Sequence, residues 1–125
     1  MNKIVVNTKN APAAIGPYSQ GIGVSGTYYF SGQIGIDPTT QELVPHFNNQ
    51  LKMILKNIDG LLNSENLSRE NIVKTTIFLT DLNNFNEVNQ AYTEFFKDPY
   101  PARSTIEVGK LPKGGLIEIE FIAVK

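Results

Sequence analysis

The 125-residue chain is 41% hydrophobic and 18% charged, and 11 Lys and Arg against 12 Asp and Glu leave a net charge of −1. This length suits one domain, spanning residues 1–125, with a buried core. Near-neutral, interspersed charge disfavours a basic groove for nucleic acid. With no Cys and only one His, His46, the chain excludes disulfides, thiolate nucleophiles, Cys-ligated metals and any Ser-His or Cys-His relay not built on His46. Chemistry falls to carboxylates, Arg, Lys, Tyr, hydroxyls and backbone groups. The apolar run Ile4-Val5-Val6 is too short for a signal-peptide core, and no stretch approaches the roughly 20 apolar residues that span a bilayer. A soluble cytoplasmic protein with no membrane partner is the expectation.

In chain order, residues 3–7 and 21–24 read as short strands, and 27–32 follows a Ser25-Gly26 turn as the second arm of a hairpin. Residues 46–63 carry Phe47, Leu51, Ile54, Leu55, Ile58, Leu61 and Leu62 on one helical stripe, with Pro45 placed at its first turn. Residues 72–80 alternate as a strand, with Val73, Thr75, Ile77 and Leu79 on one face and Lys74, Thr76, Phe78 and Thr80 on the other. A second helix over 85–97 has the stripe Phe85, Val88, Ala91, Tyr92, Phe95 and Phe96. Asn84 and Glu87 read as its capping pair, and Pro99 and Pro101 end it. Strands over 104–108 and 116–124 close the chain as a terminal hairpin. The order β-β-β-α-β-α-β-β predicts an α+β fold, a mixed sheet with two helices on one face.

The last strand describes the other face. Ile117, Ile119, Phe121 and Ala123 form an unbroken apolar side suited to lie beneath helices. Opposite stand Leu116, Glu118, Glu120, Ile122 and Val124, two carboxylates bracketed by aliphatics. An exposed antiparallel face is ordinarily polar. This one is expected to pack against other subunits, with the carboxylates near the seam.

Pro101-Ala102-Arg103-Ser104-Thr105-Ile106 places Arg103 on stiff chain at a strand entry. A guanidinium held there presents two parallel N–H donors to a planar carboxylate. The competing reading is an ordinary ion pair with Glu107 or Glu118. Glu118 and Glu120 project from one strand face about 7 Å apart, a spacing shared with inverting glycosidases. Here both acids sit on one short strand instead of flanking a cleft. One of them is a candidate general base; the alternative is two half-solvated strand carboxylates. The Gly-rich stretches Gly16-Pro17-Tyr18-Ser19-Gln20-Gly21 and Ser31-Gly32-Gln33-Ile34-Gly35 match no phosphate loop. They serve as turns or as backbone approaching a small ligand, with Tyr18 as a wall. His46 reads as a surface or capping residue and Lys113 as an exposed loop lysine.

These residues together resemble the Rid proteins, the reactive intermediate deaminases, and within them the RidA subgroup. The resemblance covers essentially the whole chain: Asn10-Ala11-Pro12-Ala13-Ala14-Ile15-Gly16-Pro17-Tyr18-Ser19-Gln20, then Ser31-Gly32-Gln33-Ile34 and Val73-Lys74-Thr75-Thr76-Ile77-Phe78. It continues through Asp81-Leu82-Asn83, Val88-Asn89 and Phe95-Phe96 to the signature, Pro101-Ala102-Arg103-Ser104 followed by Ile117-Glu118-Ile119.

The resemblance implies a chorismate-mutase-like fold whose sheets pack as a trimeric barrel, with sites at the subunit interfaces. It implies hydrolysis of 2-imino acids, the enamine/imine products of pyridoxal-phosphate enzymes such as threonine dehydratase, to 2-keto acids and ammonia. No metal or cofactor is implied. By resemblance Arg103 clamps the substrate carboxylate and Glu118 positions or activates water. Tyr18, Ser31, Gly32 and Asn89 shape the pocket, and the backbone of Thr105 completes it. Many RidA proteins have Cys where this chain has Thr105, so any role for a thiol is lost here. Two other readings remain open from sequence: a non-catalytic carboxylate-binding or chaperone-like trimer, and an endoribonuclease or translation inhibitor.

Overall fold

The computed structural model describes all 125 residues. Alternating apolar and polar residues set most of the chain into strands. In chain order these are β1 (Ile4–Val6), β2 (Gly21–Val24), β3 (Thr27–Ile34), β4 (Ile36–Asp37) and β5 (Glu42–Leu43). Helix α1 (Phe47–Ser64), β6 (Ile72–Leu79), α2 (Phe85–Phe95), β7 (Ala102–Glu107) and β8 (Ile117–Val124) follow. Six strands form one sheet in the order β1-β2-β3-β8-β6-β7, and β4 and β5 pair separately. Only β6 and β7, joined through α2, run parallel. This is the expected mixed α+β architecture, with both helices on one face. No helix is long and apolar enough to cross a membrane.

The terminal hairpin does not form. β8 inserts between β3 and β6, antiparallel to both, while β7 pairs with β6 alone and becomes an edge. Burial explains the exchange: Ile117, Ile119 and Ala123 are wholly buried and Phe121 nearly so, whereas the residues of β7 alternate only between exposed and half-buried. The strand with a continuous apolar face takes the centre, where that face is fully covered. Phe121 stacks on Phe30 with ring centroids 4.3 Å apart. The pair lies in one cluster of 21 buried residues between helices and sheet.

Three other expectations shift. A bulge between Ile72 and Lys74 puts Ile72 inside and leaves Val73 exposed; the extra residue reverses the alternation at that point. Thr75, Ile77 and Leu79 face the core as expected. Helix α1 begins at Phe47, after His46 at φ 71°, so Pro45 lies outside it. His46 gives no side-chain cap. Gln50 holds the entry instead, donating to the Val44 carbonyl at 3.0 Å and accepting from the Leu116 N–H at 2.9 Å. Asn84 likewise caps nothing with its side chain. Asp81 accepts from the Asn83 N–H at 2.9 Å and opens a short 3₁₀ turn, Leu82–Asn84, that runs into α2. The β4–β5 pair was not anticipated, because two-residue strands show no period. Its turn is closed by Asp37 Oδ1 accepting from the Thr39 N–H at 2.8 Å.

The face away from the helices is uncovered. Strand register lines Val5, Ile22, Tyr29 and Ile122 across it in one row. Val5 is 61% and Tyr29 51% exposed. Phe78 and Glu118 form a neighbouring pair on the same face.

Candidate active site

The sheet divides the predicted site residues into two groups. Directly paired residues of neighbouring strands point to one side. Thr75 pairs with Arg103 and Ile77 with Thr105 across β6 and β7. Both β6 partners are buried beneath the helices, so Arg103 and Thr105 project on the helix side. The Arg103 guanidinium lies 5.2 Å from the centroid of the Phe85 ring and 5.4 Å from that of Tyr92, both on α2. Asn89 lies one helical turn beyond Phe85 on the same stripe. Arg103 pairs with neither carboxylate that sequence suggested. Glu107 accepts from the Leu82 N–H at 3.0 Å, and the chain's one ion pair is Arg69 with Asp59.

Glu118 faces the uncovered side, cross-strand from Phe78. Its half-buried carboxyl is pushed above the ordinary carboxylate range by loss of water and then by the negative charge of Glu120. A bulge in β3 between Phe30 and Gln33 brings Ser31 and Gly32 beside it. A methyl group on Gly32 would meet Glu118 Oε2 and lie 2.7 Å from the carboxyl carbon. Only the absence of a side chain there leaves room for the carboxylate. Ser31 Oγ donates to the Ser19 carbonyl at 2.6 Å, and the Ser31 N–H donates to the Gln20 carbonyl at 2.9 Å. These bonds tie the bulge to the segment carrying Tyr18, which is 54% exposed. Gln20 is the buried hub of that segment, bonded to the backbone of Thr8, Ala11 and Pro12.

Tyr18, Ser31, Gly32 and Glu118 therefore form one group, and Asn89, Arg103 and Thr105 the other. Sequence reasoning missed Phe85, Tyr92 and Thr75 as neighbours of Arg103. Phe85 and Tyr92 sit seven residues apart on a helical stripe, which reads as core. Burial pushes the Tyr92 hydroxyl up to about 12, and the nearby Thr75 hydroxyl and the Arg103 charge only partly offset it. The Thr75 and Tyr92 hydroxyls approach without closing a well-aligned hydrogen bond: Thr75 Oγ1, like Thr105 Oγ1, is buried without a partner.

The two principal cavities lie away from both groups. One, about 420 Å³, runs between the helices past Leu51, Lys52, Glu87 and Ala91. The other, about 970 Å³, opens around Asp59, Arg69, Lys97 and Asp98. No cluster of three or more His and acidic side chains is placed to hold a metal ion.

What the two groups offer is a free guanidinium on one side of a sheet and a proton-accepting carboxylate on the other, without metal ligands or a thiol. Residues 8–125 match the family described as Endoribonuclease L-PSP, and the chain belongs to that family, which includes the Rid proteins. It is 46% identical over 122 residues to the human 2-iminobutanoate/2-iminopropanoate deaminase, covering 97% of this chain and 89% of that one. A Yersinia pestis member of the conserved Rid family superposes with a TM-score of 0.96 at 52% identity, covering 99% of this chain and all of that one. Escherichia coli TdcF, solved with bound serine, superposes with a TM-score of 0.91 at 40% identity, covering 98% of each chain.

Proposed function

We infer that this chain is a 2-iminobutanoate/2-iminopropanoate deaminase, hydrolysing reactive 2-imino acids to 2-keto acids and ammonia. Near-full-length similarity to curated deaminases supports the activity. The observation that carries the chemistry is Arg103: a guanidinium at a strand entry, flanked by aromatic rings, with no partner inside the chain. Arg103 binds the substrate carboxylate through two parallel N–H donors. The imine carbon, already electrophilic, then faces a water molecule. Glu118 accepts a proton from that water as its oxygen bonds to the carbon, giving a tetrahedral carbinolamine. Glu118 passes that proton to nitrogen, completing the carbinolamine; it then takes the carbinolamine hydroxyl proton and gives it to the amine, so that the carbonyl forms as the C–N bond breaks and ammonia leaves. A carboxylate with a raised pKa suits both steps, since it is a stronger proton acceptor than an ordinary one and can return the proton it takes. Such general-base help contributes about 10²–10⁴-fold.

The split between sheet faces supports a site completed by a second copy. We propose a homotrimer in which the uncovered faces pack as a barrel and one protomer's Arg103 group meets another's Glu118, Gly32, Ser31 and Tyr18. The apolar row Val5, Ile22, Tyr29 and Ile122 is the surface such packing buries. Asn89 and the Thr105 backbone line the Arg103 side. The serine bound to TdcF carries an amino-acid carboxylate, the group Arg103 is proposed to receive.

The test couples purified protein to an amino-acid dehydratase or oxidase and follows keto-acid release. Faster release than buffer is expected; equal release sinks the deaminase reading. Sedimentation is expected to give a trimer, and a clean monomer at micromolar concentration overturns the shared site. Mixed oligomers of Arg103→Ala and Glu118→Ala chains should regain activity that neither has alone, because some interfaces then hold both intact groups.

A further inference from the structure

We propose that Tyr92, seconded by Phe85, is a positioning residue for Arg103, its ring face fixing the plane of the guanidinium that receives the substrate carboxylate. The inference rests on the carboxylate-binding role assigned above to Arg103. A guanidinium on an edge strand has several rotatable bonds and loses that freedom when it binds a ligand. Something must hold it beforehand if two parallel N–H donors are to meet a planar carboxylate. Inside this chain no hydrogen bond or carboxylate does so. What approaches it is aromatic: Phe85 at 5.2 Å and Tyr92 at 5.4 Å, both within the about 6 Å reach of a cation–π contact.

Aromatic support suits this task better than a carboxylate would. A ring face orients the guanidinium plane without occupying its N–H groups, so all remain free for the ligand. Tyr92 is itself fixed. It is 6% exposed, forms an edge contact with Phe96 at 5.1 Å, and sits on the same buried stripe of α2 as Val88 and Phe95. Its hydroxyl lies near the orphaned hydroxyl of Thr75, the residue that pairs with Arg103 on the neighbouring strand and shares its face. A phenol is protonated throughout the neutral range, and burial pushes this one further in the same direction. A tyrosinate there would compete with the substrate for Arg103, and a neutral ring does not.

The experiment uses the chain's inventory of only two arginines, Arg69 and Arg103. The guanidinium Nε–H region of a ¹H–¹⁵N spectrum therefore holds two signals, and Arg69 is an internal control. Tyr92→Leu is expected to move the Arg103 signal toward the position of a free side chain and leave Arg69 unmoved; Tyr92→Phe, which keeps the ring, is expected to leave both in place. In parallel, the Kd for 2-oxobutanoate should rise at least tenfold in Tyr92→Leu. KM should rise similarly with a smaller change in kcat, while Tyr92→Phe stays within twofold of the parent. If Tyr92→Leu fails to fold, Phe85→Leu at the helix start carries the test, with an expected three- to fivefold rise in Kd. An unmoved Arg103 signal, or an unchanged Kd in a folded variant, overturns the proposal. A parent protein that binds 2-oxobutanoate but releases no keto acid from imines fails as a deaminase, and the positioning role then stands on the Kd and the spectrum alone.

Discussion

The two arginines occupy similar surroundings and are put to different use. Arg69 lies 3.8 Å above the Phe95 ring, and Arg103 lies beside Phe85 and Tyr92, all on α2. Arg69 is engaged at all three nitrogens: its Nε and Nη2 donate to the Asp59 carboxylate at 2.9 and 2.8 Å, and its Nη1 donates to the Phe95 carbonyl at 3.1 Å. That fork joins the end of α1, the turn before β6 and the end of α2. Arg103 has the aromatic contacts without the acceptors. A guanidinium supplied with acceptors is structural, and one denied them keeps its donors for something from outside.

The largest effect should fall on Arg103→Ala. Two charge-assisted hydrogen bonds worth about 1.5–3 kcal/mol each correspond to roughly 10²–10⁴-fold in activity. Coupled assays should show that loss, with thermal unfolding little changed. Glu118→Gln should lose about 10²–10⁴-fold through removal of the base, yet gain stability at neutral pH. The folded chain holds this proton more tightly than the unfolded chain does. Its contribution to stability is therefore full in acid and lost as pH rises through the raised value. Denaturant melts at acidic and neutral pH check the sign: the variant's advantage should appear only at the higher pH.

Gly32→Ala is expected to cost about 10²-fold in activity by displacing the Glu118 carboxylate, since small misplacements of reacting groups have effects of that size. Arg69→Ala should leave activity near the parent's and cost about 1–2 kcal/mol, a half-exposed ion pair plus a cation–π contact. Its melting temperature should fall by several degrees. Should Arg69→Ala abolish activity in a folded protein, the contrast between the two arginines collapses. The smallest effect belongs to Glu120→Gln. Losing that like charge should move the acid limb of the pH–activity profile to lower pH, because Glu120 is the second cause of the raised Glu118 value.

Much of the fold was legible because its signals are periodic. The stripe of α1 and the clean alternation of residues 117–123 name the core, and that core is where they place it. Errors fell where one local event overrides a period. The bulge at Val73 reverses an otherwise correct strand, and the left-handed His46 detaches Pro45 from α1. Asp81 starts its turn three residues ahead of the expected cap at Asn84. Family resemblance named the candidate site residues one by one, yet their arrangement on the sheet was not legible. Arg103 and Glu118 look like partners along the chain, and nothing in their spacing says that they face opposite sides of the sheet.

By itself, then, the sequence determined the chemical inventory: no thiol, one His, two arginines, and a strand with aliphatics on one side and carboxylates on the other. It also determined the order of the two helices and the six strands of the main sheet, because apolar periodicity is a local property. Tertiary structure alone decided that β8 enters the centre of the sheet and β7 its edge, since pairing depends on which faces can be covered at once. That exchange leaves Arg103 beneath α2 without a carboxylate, and Glu118 across the sheet in the space Gly32 leaves open.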